Sequence, residues 1–222
     1  MNERLLVILP HPDDESFGAA GLIALKRKAN VPVTYACCTL GEMGRNMGNP
    51  LVANRETLKN IRKKELEKVA EILGINDLRM LGYRDKTLEF EDEEKLADHF
   101  EQIIRDVKPT LLVTFYPGFA VHPDHDACGE AVIRAVKRMK KDERPVVYCM
   151  AFSNDRFEHI GEPDVEIDIK EVADIKFQAI KAHRSQTFWM IKKMEQELDS
   201  ANPQWQQWFD KEVFWTYSFQ ES

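Results

Sequence analysis

The sequence predicts an α/β protein whose open, mostly parallel sheet carries helices on both faces. Short apolar runs alternate along the chain with longer segments whose apolar residues recur with a helical period. One short run, TLLVTFY at 110–116, is almost continuously apolar, as a central strand covered on both faces must be. The totals allow this architecture. A chain of 222 residues, 43% apolar and 31% charged, can bury one sizeable core and does not suit disorder.

Taken in order, RLLVILP (4–10) reads as a buried strand and AAGLIALKRK (19–28) as the helix after it. VPVTYACCT (31–39) is a second strand, and a loop rich in Gly and Asn follows at 41–55. A long helix spans 56–73, with Leu58, Ile61, Leu66, Val69, Ala70 and Leu73 on one face and Gly74 as its C-terminal cap. LRMLGY (78–83) is a third strand. Residues 92–107 form a helix whose first turn is acidic, as the helix dipole favours. The strand at 110–116, a helix over 125–139 and the strand PVVYCMAF (145–152) continue the alternation.

Strand, helix and strand repeated in this way imply parallel pairing through right-handed crossovers. The expectation is a Rossmann-like, three-layer α/β/α arrangement. The last third is less regular, with a short strand at 165–169 and a helix over 171–183. Trp189, Trp205, Trp208 and Trp215 all fall there, as a packed C-terminal subregion or, alternatively, a homo-oligomer contact. No linker, repeat or low-complexity stretch divides the chain, so 1–222 is expected to be a single domain.

A net charge of −7 argues against a nucleic-acid partner, whose phosphates need clustered Lys and Arg. An anionic small molecule stays open, because a pocket can hold local arginines. MNERLLVILP is too short an apolar run for a signal peptide, and no stretch approaches a membrane span, so a cytoplasmic location without a membrane partner is expected. Cys37, Cys38, Cys128 and Cys149 lack C-x-x-C spacing and read as buried thiols.

VILPHPDDESFG (7–18) and FAVHPDHDACG (119–129) both carry His-Pro-Asp behind an apolar strand, and hold three of the chain's six histidines. In an open parallel sheet, ligands bind beyond the carboxyl ends of the strands, so the two turns can face each other. His nitrogens and Asp oxygens suit zinc, and a catalytic zinc keeps three protein ligands and one open position. His11 and Asp14 fit a turn around one ion, and His125 completes the set. Pro12 and Pro123 stiffen the two turns. Asp13 and His122 are left over beside a metal-activated water. Asp13 would take the water's proton and pass it to a leaving amine, a protonated His122 would meet the oxyanion, and Asp124 would hold that imidazole. The plain alternative is that Asp13, Asp14 and Ser16 only cap the next helix. Two copies at matching strand ends favour the metal.

HPDDE at 11–15 with HPDH at 122–125 resembles the LmbE-like (PIG-L type) zinc-dependent de-N-acetylases. TLGEMGR (39–45) is similar to that family's T-x-G-E-x-G loop, RKKELEKVAEILG (62–74) to its R-x-x-E helix, and HRSQ (183–186) to its C-terminal H-x-S-Q segment. The resemblance covers most of the chain and is strongest to the bacillithiol-biosynthesis deacetylases of the second type. It implies the LmbE-like fold, with His11, Asp14 and His125 as ligands of zinc (Zn2+, with Fe2+ as an alternative occupant). It further implies Asp13 as general base and His122, beside Asp124, as the group meeting the tetrahedral intermediate. Arg62 and Asp85 match substrate contacts. The implied reaction is hydrolysis of the N-acetyl group of an amino-sugar conjugate, with N-acetylglucosaminyl-malate as the expected substrate and amide cleavage of a bacillithiol conjugate as a sister activity. One departure stands out. Some relatives carry a tyrosine two residues before the second-turn histidine, and this chain has Ala120, leaving Tyr83 or Tyr116 as substitutes.

The 41–55 loop lacks the Lys-Ser/Thr of a phosphate-binding loop, and reads as a substrate lid or a surface connection. Its Arg45 and Arg55 are candidates to meet a substrate carboxylate. His183, with Ser185 and Gln186, reads equally as a pocket border or a structural histidine. His99 and His159 carry no functional expectation. Two readings of other classes remain. A phospho-acceptor module would use Mg2+, which prefers oxygens to histidine. A non-catalytic sugar or nucleotide binder would have no use for Asp13.

Overall fold

β1 (Leu5–Leu9) is buried along its whole length, and its side chains divide between two cores by the strand period of two. Leu5, Val7 and Leu9 enter one core, and Leu6 and Ile8 the other. The structure, a computed structural model describing residues 3–198 and 208–219, sets β1 inside a seven-stranded sheet, beside the central strand.

From β1 the chain turns into α1 (Asp14–Gly18) and α2 (Ala20–Lys28), then runs through β2 (Val33–Cys37), α3 (Leu58–Leu73) and β3 (Asp77–Met80). It continues through α4 (Glu93–Val107), β4 (Leu111–Phe115), α5 (Pro123–Lys137) and β5 (Val146–Met150). The last part holds α6 (Arg156–Ile160), β6 (Val165–Asp168), α7 (Ala173–Ala182), α8 (Arg184–Leu198) and β7 (Lys211–Thr216). The sheet order is β3-β2-β1-β4-β5-β7-β6. The first five pair parallel, β7 runs antiparallel to β5, and β6 antiparallel to β7.

Leu22 and Ile23 of α2, Leu66, Val69 and Leu73 of α3 and Ala179 of α7 pack on one face. Leu96, Phe100 and Ile103 of α4 with Val132 and Val136 of α5 cover the other. The result is the expected α/β/α layering. The four cysteines are buried and free. Among the described residues, no helix is long and apolar enough to cross a membrane.

Three elements differ from the sequence reading. A short helix, α1, precedes the expected one, and Ala19, whose φ of −141° is not helical, separates it from α2. α5 starts two residues earlier than expected, because Pro123 takes the first helical position and the His122 ring accepts the Asp124 N–H as a cap. The irregular last third contains α8 and β7. β7 escapes a pattern search because Glu212 occupies a core position. Its Oε1 accepts from Gly21 N–H (2.8 Å) and Lys176 Nζ (2.7 Å), and its Oε2 from Leu22 N–H (2.8 Å). A carboxylate so satisfied can be buried, and here it fastens the start of α2 to the sheet. Of the tryptophans, Trp215 is buried and donates to Gly161 O at 2.9 Å, Trp189 and Trp208 are exposed, and Trp205 lies outside the described residues.

Candidate metal centre and active site

β1 and β4 are parallel neighbours, and the chain winds outward from them in opposite directions. This is the topological switch point, where an open α/β sheet forms a crevice beyond its carboxyl ends. His11 follows β1, and His122 and His125 follow β4.

The first turn is held from beneath. Asp13 has φ 115°, a left-handed value that L side chains rarely adopt. Its N–H donates to Glu15 Oε2 at 3.1 Å, and the same oxygen accepts from Tyr35 OH at 2.9 Å. The other Glu15 oxygen accepts from Ser16 Oγ at 2.6 Å and meets His183 Nε2 at 2.7 Å. Glu15 and His183 are both fully buried. Burial opposes charge on each, but their contact outweighs it, raising the His183 pKa and lowering that of Glu15.

Three donors converge above this base. His11 Nδ1 lies 3.1 Å from His125 Nε2 and 3.6 Å from Asp14 Oδ2, and His125 Nε2 lies 3.3 Å from Asp14 Oδ1. A tetrahedral ion with ligands at about 2.0–2.1 Å holds its donors about 3.3–3.4 Å apart, so the donor types suit zinc and each pair stands near that spacing, with a different Asp14 oxygen nearest each histidine. Burial works against charge on Asp14, yet His125 and His11 hold its carboxyl well below the usual range. His122 joins the two histidines in a second close grouping of ring nitrogens. The His125 ring stacks on Phe115 at 4.0 Å, which sets its plane.

The far side of His11 is carboxylate-lined. Its Nε2 lies 3.1 Å from Asp124 Oδ2 and 3.2 Å from Asp85 Oδ1. A histidine ligand commonly gives its second nitrogen to such a partner, which fixes the tautomer and ring orientation. His11, Asp85 and Asp124 would also form a donor set, but both Asp124 oxygens already accept backbone N–H groups. Asp124 accepts from Lys86 N–H (2.7 Å) and Leu88 N–H (3.0 Å), and Asp85 from Met43 N–H (2.7 Å).

These contacts revise several expected roles. The Asp124 side chain does not touch His122. It sits behind His11, fully buried, and only its backbone N–H meets His122, at Nδ1 (3.1 Å). A protonated His122 is also disfavoured. Burial, with His11 and His125 nearby, lowers its pKa. With Nδ1 accepting, a neutral His122 carries its proton on Nε2 and is a donor there. Asp85, expected at a sugar hydroxyl, borders the cleft but is 4% exposed and tied to His11 and the 41–55 loop. Arg62, also expected at substrate, is equally buried; it borders the cleft, and its guanidinium is bonded to the protein itself. It donates to Gly41 O (2.8 Å), Pro12 O and Asp13 Oδ2 (3.0 Å). Gly41 makes that seat, since a Cβ there would fall 1.9 Å from Arg62 Nη1. Arg45 lines the metal cleft, whereas Arg55 donates to Gly44 O (2.7 Å) and borders the adjoining cavity with Lys59 and Arg84.

The cleft, about 300 Å³, is lined by His11, Asp13, Asp14, His122, His125 and the loop residues Met43 to Arg45. Burial pushes the Asp13 carboxyl up to about 6 against the pull of Arg62. A cation bound beside it would oppose that rise. The 41–55 loop forms one wall, anchored to α8 where Gln186 Nε2 donates to Asn46 O (3.0 Å) and Gly48 N–H to Ser185 O (2.9 Å). Neither candidate tyrosine lines the cleft, and Tyr83 OH meets His99 Nδ1 at 2.7 Å.

Sequence reasoning missed Glu15, Tyr35 and Lys86. Glu15 lies inside the quoted HPDDE, but nothing in the sequence ties it to His183, with which it pairs in the fold. Nothing local marks Tyr35 in its strand.

The profile of the GlcNAc-PI de-N-acetylase family (PIG-L) matches residues 6–136. A Bacillus subtilis (strain 168) protein described as a probable N-acetyl-alpha-D-glucosaminyl L-malate deacetylase 2 is 62% identical over 221 residues, covering 100% of both chains. The structure of N,N'-diacetylchitobiose deacetylase from Pyrococcus horikoshii aligns with a TM-score of 0.72 and 26% identity, over 96% of this chain and 82% of that one. A 4-carboxy-2-hydroxymuconate hydratase from Pseudomonas putida shares the fold at TM-score 0.71 and 18% identity, over 99% and 98% of the two chains. The fold alone therefore does not fix the reaction.

Proposed function

We propose how this chain works from one premise: it belongs to the GlcNAc-PI de-N-acetylase family. It is a hydrolase that removes the N-acetyl group of an N-acetylglucosaminyl conjugate, and its substrate is N-acetylglucosaminyl-malate. The observation that carries this reading is the convergence of His11 Nδ1, Asp14 and His125 Nε2 beside Asp13 in one cleft.

His11, Asp14 and His125 would hold the metal, zinc by their donor types, with Fe2+ as the other candidate. When bound, such an ion supplies Lewis acidity to a carbonyl and a water. Asp13 takes the proton of the attacking water, while Arg62 on its Oδ2 keeps the carboxylate aimed. The Nε2–H of His122 donates to the acetamide oxygen as negative charge gathers there. Asp13 then returns its proton to the nitrogen as the C–N bond breaks, giving acetate and a free amine.

Residues 1–222 act as one catalytic unit in the cytoplasm in this reading, with a small amino-sugar conjugate as the partner. The test is acetate release from N-acetylglucosaminyl-malate, with and without a chelator, and with metal content measured on the active protein. Release that survives complete removal of metal would sink the mechanism.

A further inference from the structure

The cleft carries positive charge that the hydrolysis does not use. Lys86 and Arg45 both line it, and both are exposed. Among the described residues, neither side chain has a hydrogen bond or ion pair, although the chain as a whole is acidic at −7. Elsewhere arginines at the surface, half-buried or exposed, pair readily. Arg134 and Arg138 each hold two or more carboxylates of α4.

The Lys86 backbone is also unusual. Its φ is 64°, the left-handed region that a lysine enters only against steric opposition. The turn is held there because Lys86 N–H donates to Asp124 Oδ2 at 2.7 Å, the same oxygen that meets His11 Nε2 at 3.1 Å. One buried carboxylate thus fixes both a metal-site histidine and the root of a cation at the cleft wall. Backbone held in a sparsely populated conformation beside a site is a pointer to function. A neutral sugar offers an ammonium only hydroxyl acceptors, whereas a carboxylated aglycone offers it an opposite charge and a stronger, charge-assisted bond.

We propose that Lys86, together with Arg45, determines specificity by binding the carboxylates of the aglycone while the acetamide lies at the metal centre. This rests on the deacetylase reading above and adds to it the residues that read the non-sugar end. Binding through the aglycone holds the conjugate in place and acts mainly on KM.

The experiment compares kcat/KM for N-acetylglucosaminyl-malate and for methyl N-acetyl-α-glucosaminide, whose aglycone is neutral, using zinc-loaded protein of matched metal content. Lys86→Gly removes the cation and suits the left-handed backbone, so it tests the charge without straining the turn. Lys86→Gln and Arg45→Gln are companions, and Lys86→Arg is the conservative control. The wild type should prefer the malate conjugate. That preference should fall about 10- to 100-fold in both Lys86 variants, chiefly through KM, and recover in Lys86→Arg. Added salt should erode it in the wild type. An equal loss on both substrates, or a preference that survives Lys86→Gly and Lys86→Gln, overturns the inference alone. No acetate release by the wild type from either substrate overturns the deacetylase reading, and this inference falls with it.

Discussion

The two His-Pro-Asp turns begin alike and end in opposite duties. In the first, Asp13 projects into the cleft with its side chain 20% exposed; in the second, the matching Asp124 is wholly buried behind the other turn's histidine. His11 reaches the centre of the donor cluster, whereas His122 caps α5 and offers only its outer nitrogen. Backbone geometry makes the difference. Asp13 takes the left-handed conformation before a five-residue helix, while in the second turn Val121 takes it, one residue ahead of His122. A motif repeated in sequence need not be repeated in role, because one peptide's φ decides where the carboxylate points.

The largest effect expected from this asymmetry is at the donors. His125→Ala should lose tight zinc binding and reduce acetate release to background, as elemental analysis beside an activity assay would record. Asp13→Ala should keep its metal and lose about 10²–10⁴-fold in kcat. Metal loss in that variant would make Asp13 a ligand and dissolve the contrast with Asp14.

Next come the residues that follow each motif, Glu15 and Asp126. Glu15→Ala strands a buried His183 and should cost about 3–5 kcal/mol in urea unfolding of the metal-free chain. Among the described residues Asp126 accepts only the Ala120 N–H, at 3.2 Å, so Asp126→Ala should cost about 1 kcal/mol. Equal costs would mean that the two turns are supported alike. The smallest functional change belongs to Asp124→Asn, which should weaken metal affinity about 10- to 100-fold by loosening His11. A fall in kcat at saturating metal, with affinity intact, would return Asp124 to a role beside His122.

Much of this was legible before folding was considered. β1 and β4 announce themselves because strands covered on both faces admit almost no polar residue, and the donors sit directly after them. Long-range satisfaction of polar groups was not legible. Nothing near Glu212 in the sequence says that Lys176 and the start of α2 will satisfy it, so the apolar pattern of β7 is broken by a charged residue. Arg62 and Asp85 have the residue types of substrate contacts, but their partners, Gly41 O, Pro12 O and Met43 N–H, are backbone groups that no side-chain pattern reveals. The reversal of Asp124 has the same origin, since it depends on a histidine 113 positions earlier.

The sheet order also has a consequence in time. β6 pairs only with β7, and β7 stands between it and β5. During synthesis Val165–Asp168 leaves the ribosome with no strand beside it until Lys211–Thr216 follows, roughly several seconds later at about 5–20 residues per second. Through that interval the outer edge of β5 is bare, and α2 lacks the carboxylate that fastens its first turn. β7, the last of the described strands to emerge, therefore closes a sheet whose first His-Pro-Asp turn follows its first strand.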